Sequence, residues 1–259
     1  MLGLYYWDRL SWVEFETLVK DLDLVVLPVG SVEQHGPHLP LGLDYLIVDE
    51  LSKRFVIKAY EVGIKAVKLP PIAYGLSSMW LGNPGTITVN FDSFMSYVYD
   101  VIKAVLLWGV KRVLLLNGHA GNSDALRVVA SKIVNELKGD HLIVVTTWWE
   151  LVGDIIKELF PKGFFHADEV ETSIALALGI DVKGDLEGSS IHRKYDEFWH
   201  SLDLTKRPKA YVYRYEAVKR VPGSYGTQKG VSYDKGATLV NSIIDRLIKL
   251  TKDLLHNKI

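Results

Sequence analysis

Glu33, His35 and Asp44 bring two carboxylates and an imidazole into one short stretch, Gly30-Ser31-Val32-Glu33-Gln34-His35-Gly36-Pro37-His38-Leu39-Pro40-Leu41 followed by Asp44. The stretch comes directly after an apolar run, Leu22 to Val29, that reads as a buried strand. If the chain stays extended past that strand, the side chains of Glu33 and His35 leave on the same face and reach one point in space. That is half of a metal site. Asp44 opens the amphipathic stretch Asp44 to Tyr60, where a short acid suits a helix N-terminus and offers two oxygens that can bridge two cations. Taken alone, an E-x-H match is weak, and a plainer reading competes: Asp44 as a simple N-cap, with His35 and His38 as polar loop residues.

Other chemistry-bearing groups are spread along the chain. Asn117-Gly118-His119-Ala120-Gly121-Asn122-Ser123 follows the apolar run Val113 to Leu116 and precedes a helical pattern. It lacks the lysine and spacing of a phosphate-binding P-loop, so His119 is its distinctive group, either a ligand or a structural hydrogen-bonder. Phe164-Phe165-His166-Ala167-Asp168-Glu169-Val170-Glu171-Thr172-Ser173 opens another helical stretch. If the helix includes His166, then His166 and Glu169 share a face while Glu171 looks elsewhere and serves the helix dipole or braces another loop. The loop Tyr74 to Thr86 contains Ser77 and Trp80, which suit either a substrate loop or an ordinary connection with Trp80 packed over it. Ser77, Trp80 and Ala120 are the expected substrate contacts.

The elements that must position these groups alternate in type. Strand-like runs at Leu24 to Leu27, Ile64 to Leu69, Val113 to Leu116 and Leu142 to Thr147 alternate with helical patterns at Asp44 to Tyr60, Phe91 to Trp108, Ser123 to Leu137 and Trp148 to Phe160. Such alternation implies an α/β fold with a mainly parallel sheet covered on both faces, and functional residues in the loops beyond the strands' C-terminal ends. Past Leu178, loops run through Tyr211-Val212-Tyr213 to a final helix near Lys235 to His256. No low-complexity linker divides the 259 residues, and a single domain over 1–259 is expected.

With 30 basic and 31 acidic residues the chain has no electrostatic footprint for nucleic acid. The absence of cysteine excludes thiolate sites and cysteine nucleophiles, so a transition metal must be held by His, Asp and Glu, which suits Zn, Mn or Fe. The N-terminal stretch has no signal-peptide pattern and no apolar run is long enough to span a bilayer, so the expected location is the cytoplasm with no membrane partner.

Taken in order, the Glu33-His35-Asp44 stretch, Pro84-Gly85-Thr86, the Asn117 to Asn122 motif and the His166 to Ser173 motif resemble the creatininase family of metal-dependent amidohydrolases. The resemblance covers about Leu24 to Ala177, with weaker similarity over Gly223 to Gly236. It implies a three-layer α/β/α sandwich, usually assembled as a homo-hexamer, with two divalent ions at the C-terminal edge of the sheet. By that resemblance Glu33 and His119 hold one ion, His35 the other, Asp44 bridges both and His166 shuttles a proton. Creatininase takes a further glutamate at the position of Gly121, and Glu169 is expected to supply that ligand here. The tryptophan and aspartate that cover creatinine are not matched around Lys162 to Gly163, and Trp80 stands where many relatives have His. These departures shift the expected substrate to 2-amino-5-formylamino-6-ribosylaminopyrimidin-4(3H)-one 5'-monophosphate, deformylated in riboflavin and deazaflavin biosynthesis. Creatinine or another small cyclic amide is the alternative, and a non-catalytic, metal-stabilised oligomeric binding protein a third.

Overall fold

The computed structural model describes residues 6–184, 190–191, 201–211 and 223–258. Its centre is a four-stranded, all-parallel sheet of β1 (Leu24–Val29), β2 (Ala66–Lys68), β3 (Arg112–Asn117) and β4 (Leu142–Thr147), in the order β2-β1-β3-β4. β1 is buried along its whole length, which is why it reads as a continuous apolar run. Its side chains alternate between two cores. Leu24 and Val26 pack with α2 (Leu43–Glu61), α7 (Glu169–Leu178) and α8 (Tyr233–Leu255), whereas Val25, Leu27 and Val29 pack with α3 (Phe91–Leu107) and α4 (Ser123–Glu136). The result is the expected three-layer α/β/α arrangement.

The remaining elements are short: α1 (Trp12–Leu18), α5 (Trp148–Leu151), α6 (Gly153–Leu159), and a two-residue parallel pair of β5 (Ser190–Ile191) with β6 (Ser224–Tyr225). Several boundaries differ from the sequence pattern for local reasons. The stretch from Trp148 divides into α5 and α6 because Thr147 and Glu150 form a capping box around a single turn and Val152 leaves helical geometry. The run Ile64 to Leu69 contributes only β2. The N-cap of α2 is Gly42, so Asp44 sits inside the first turn rather than capping it. Val212 and Tyr213 lie outside the described residues. Among the described residues no helix is long and apolar enough to cross a membrane.

Candidate metal centre

The ends of β1 and β3 lie side by side, with Val29 paired to Asn117, and the loops that follow them carry Glu33, His35 and His119. The first turn of α2 is pressed against these strand ends. A β-carbon at Gly30 would lie 2.3 Å from the Tyr45 nitrogen, and one at Gly118 would lie 2.3 Å from the Asp44 carbonyl oxygen. Only glycine permits that approach, and the approach delivers Asp44 to the strand ends. The loops themselves are braced by side-chain amides: Asn117 Nδ2 donates to the His119 carbonyl, and Asn122 ties the Gly30 carbonyl to the Leu76 amide.

The side chains converge. Asp44 Oδ1 is 3.0 Å from His35 Nε2, and Asp44 Oδ2 is 3.1 Å from His119 Nδ1. Glu33 Oε1 is 3.4 Å from His119 Nδ1, and Glu171 Oε2 is 3.9 Å from His35 Nε2. Three clusters with metal-ligand spacing follow: Glu33, Asp44 and His119; His35, Asp44 and Glu171; and Glu33, His35 and His166, the last less deeply buried, with Asp44 common to the first two. Each histidine directs its other nitrogen at a backbone carbonyl, His35 Nδ1 to Glu33 O at 3.0 Å and His119 Nε2 to Leu76 O at 3.0 Å. A proton on each of those outer nitrogens leaves a lone pair on the inner one, the arrangement that orients imidazole as a ligand.

All of these groups are buried. Among the described residues Glu33 Oε2 has no hydrogen-bond partner, which is costly for a carboxylate removed from water, and Asp44 Oδ2 faces the His119 ring. Burial pushes Glu33 and Glu171 up to about 7, against the pull of His119 and His35 respectively. Burial opposes charge on His35 and His119 too. Asp44 overrides it for His35, which rises to about 10, and Glu33 with Asp44 for His119, which rises to about 9. Asp44, despite burial, is held well below the usual carboxylate range by the two imidazoles. In protein terms the cluster is short of positive charge, and oxygen and nitrogen donors of this kind fit a divalent cation.

Beside the cluster, His166 donates from Nε2 to the Gln34 carbonyl at 2.7 Å and turns Nδ1 toward Glu33 Oε1 at 3.7 Å. Trp80 stacks on its ring, with centroids 4.1 Å apart and planes 21° apart. Burial and the neighbouring His35 hold His166 well below the ordinary imidazole range. A cavity of about 200 Å³ opens here. Glu33, Asp44, His119, His166 and Glu171 form its polar side, while Met79, Trp80, Trp149, Phe165, Leu202, Leu204 and Tyr225 supply apolar and aromatic walls, with Gly118 and Ala120 completing it.

The creatinine amidohydrolase family model, named Creatininase, matches residues 8–251. The chain belongs to the creatininase family. It is 30% identical to creatinine amidohydrolase of Pseudomonas putida, over 90% of each chain. It is 28% identical to 3-dehydro-scyllo-inosose hydrolase of Thermotoga maritima, over 97% of this chain and 84% of that one. A solved structure of creatinine amidohydrolase superposes with a TM-score of 0.74 at 27% identity, covering 95% of this chain and 96% of the other. A second, described as creatininase Mn, gives 0.74 at 25% identity over 96% and 98%. The chain is a creatininase-family amidohydrolase.

Within this creatininase-type site, the residues expected from sequence are brought together except at two points. Glu169 does not join the cluster: its Oε2 accepts from the Gly230 amide at 2.7 Å, facing away toward the 226–232 loop. Glu171 takes the expected place beside His35 and Asp44. The physical reason is the start of α7. Asp168 caps the helix, its Oδ1 accepting from the amides of Val170 and Glu171, so His166 lies outside it and the i, i+3 face shared with Glu169 does not form. The Asp168 cap puts both Glu169 and Glu171 in the first turn, and it is Glu171 that turns toward His35. At Gly121 a β-carbon would lie 2.4 Å from the Leu76 carbonyl oxygen and 2.6 Å from His119 Nε2, so this backbone has no room there for a side chain. Ser77 is the second departure: it is fully buried beneath His119, its hydroxyl bonded to Ser31 and 3.4 Å from His119 Nε2, whereas Trp80 and Ala120 do face the cavity. His38 is turned away onto Thr172. Gln34, Trp149, Phe165 and Tyr225 had no chemical signature in the spacing.

Proposed function

We propose that the chain hydrolyses a carbon–nitrogen bond, other than a peptide bond, in a small amide. One divalent ion would be held by Glu33, Asp44 and His119 and a second by His35, Asp44 and Glu171. The carrying observation is the shared Asp44: its two oxygens face two different imidazoles whose outer nitrogens are occupied by backbone carbonyls. Divalent ions bound there supply Lewis acidity and bring water to a nucleophilic state at neutral pH. Zn, Mn and Fe all suit the donor set.

The protein's own groups account for the rest. His166, kept neutral by burial and fixed through Nε2 on the Gln34 carbonyl, presents Nδ1 as the proton acceptor on the cluster side. From Nδ1 it passes a proton to the departing nitrogen, a general acid–base role worth about 10²–10⁴-fold. Trp80 and the aromatic wall exclude water from the back of His166 and offer a flat surface to the group beside the scissile bond.

The formamidopyrimidine nucleotide is the specific substrate proposed, its flat base suiting that wall. Among the described residues no lysine or arginine lines the cavity, so its phosphate would have to be met elsewhere. The lack of a lysine or arginine among the described lining residues supports the second reading, creatinine or another small uncharged cyclic amide. Incubating metal-loaded protein with each compound separates them. Formate from the nucleotide supports deformylation, creatine from creatinine supports the second reading, and neither product with bound metal removes both substrates. We also propose a homo-oligomer, a hexamer by family, which light scattering after size exclusion would contradict by giving a monomer mass.

A further inference from the structure

Ala167 separates His166 from the helix that carries Glu171, and it is buried with φ of +53°. A residue with a β-carbon holds that left-handed conformation only when its surroundings enforce it. Two hydrogen bonds do so. The Ala167 N–H donates to Glu171 Oε2 at 2.6 Å, and its carbonyl accepts from Gln228 Nε2 at 2.5 Å. The same Gln228 side chain places its Oε1 3.0 Å from Thr172 Oγ1 on the next turn of α7. Gln228 therefore spans the turn and the helix from a segment about sixty residues away in sequence.

Its segment is fastened along the same turn on both sides. The Tyr225 amide donates to the His166 carbonyl at 2.8 Å, the Glu169 amide donates to the Thr227 carbonyl at 2.9 Å, and the Gly230 amide donates to Glu169 Oε2 at 2.7 Å. Those backbone bonds dock the segment, and among the described residues it is the Gln228 amide that grips the carbonyl of the strained residue. Relaxation of Ala167 to a negative φ would rotate the 166–167 peptide, withdraw its N–H from Glu171 and carry His166 with it.

We propose that Gln228 is a positioning residue for the metal centre: its side-chain amide holds the left-handed turn at Ala167 that aims Glu171 at His35 and Asp44 and sets His166 beside Glu33. The proposal rests on the two-ion reading above, because it assigns Glu171 to an ion. Glycine adopts positive φ without enforcement, so it should make the latch dispensable.

The test is chelator competition for bound metal on the full chain, with turnover and melting temperature measured alongside. Gln228→Leu should weaken the second ion by about 10- to 100-fold, the range for lost outer partners of ligands, and lower kcat with KM unchanged. The metal-free melting temperature should stay near that of the unsubstituted chain. Adding Ala167→Gly to Gln228→Leu should restore most of the lost affinity. Unchanged affinity for both ions in Gln228→Leu would overturn the proposal. So would a loss that tracks a lowered metal-free melting temperature and is not rescued by Ala167→Gly, which marks a merely structural contact. Failure of the unsubstituted chain to bind a second ion would instead remove the two-ion reading, and the latch with it.

Discussion

The two halves of the metal centre are built differently. Glu33, His35, Asp44 and His119 are delivered by the ends of two paired parallel strands and by a helix pressed onto them, with glycines at the contact points. His166 and Glu171 are delivered by a capped, strained turn whose shape depends on a segment distant in sequence. The first half is a consequence of sheet geometry and should tolerate little change in backbone volume. The second half is held by individual side-chain hydrogen bonds, from Glu171 and Gln228 to the Ala167 backbone and from the Asp168 cap to α7. Substitutions in the first should therefore abolish metal binding altogether, and those in the second should grade it.

Asp44→Ala gives the largest expected effect. It removes the group common to both clusters, so elemental analysis should find little metal, and turnover should fall by at least about 10³-fold, the equivalent of several kcal/mol of Lewis-acid stabilisation. Retention of the full metal content would break the contrast between the halves. His166→Ala should keep the metal and lose about 10²–10⁴-fold in turnover, since it removes a proton carrier and no proposed ligand. Loss of metal in that variant would make His166 a ligand and merge the two roles.

The smallest effect is a dependence on pH. In the metal-free chain the raised values of His35 and His119, about 10 and 9, mean that both rings carry protons at neutrality. Their charging favours the metal-free fold fully below the ordinary imidazole value near 6.5, and that contribution is lost as pH rises through about 9 to 10. Metal must displace those protons, so its apparent affinity should rise over the same interval, with proton release detectable by calorimetry in buffers of different ionisation heat. Affinity independent of pH would show that the imidazoles are not ligands.

What was legible in the sequence follows the same division. Continuous apolar strands and long helical periods fix the sheet and its two cores, and an E-x-H pair after a strand is visible because the strand's period decides which side chains share a face. Asp44 was identified by type, although its location inside α2 rather than at the cap depends on the close approach at Gly118. Glu171 was hidden because it lies two residues, about 200° of helix, from Glu169, and the inward face was chosen by a helical spacing from His166 although the helix begins only at Glu169. That start is set by the Asp168 cap, a local signal that competes with a plausible helical spacing from His166. Gln228 and Tyr225 reach the site only through tertiary folding and carry no motif. Ser77 has the right chemistry for a substrate contact, but the fold spends its hydroxyl on Ser31 beneath His119.

The most direct test of the proposed two-ion centre is metal stoichiometry by elemental analysis on the unsubstituted chain, Glu171→Gln and Glu169→Gln, prepared identically under metal-replete conditions. The geometry predicts about two ions per chain for the first and third, and about one for Glu171→Gln, the lost ion being that of the cluster with His35 and Asp44. Two ions in Glu171→Gln together with a loss in Glu169→Gln would contradict it.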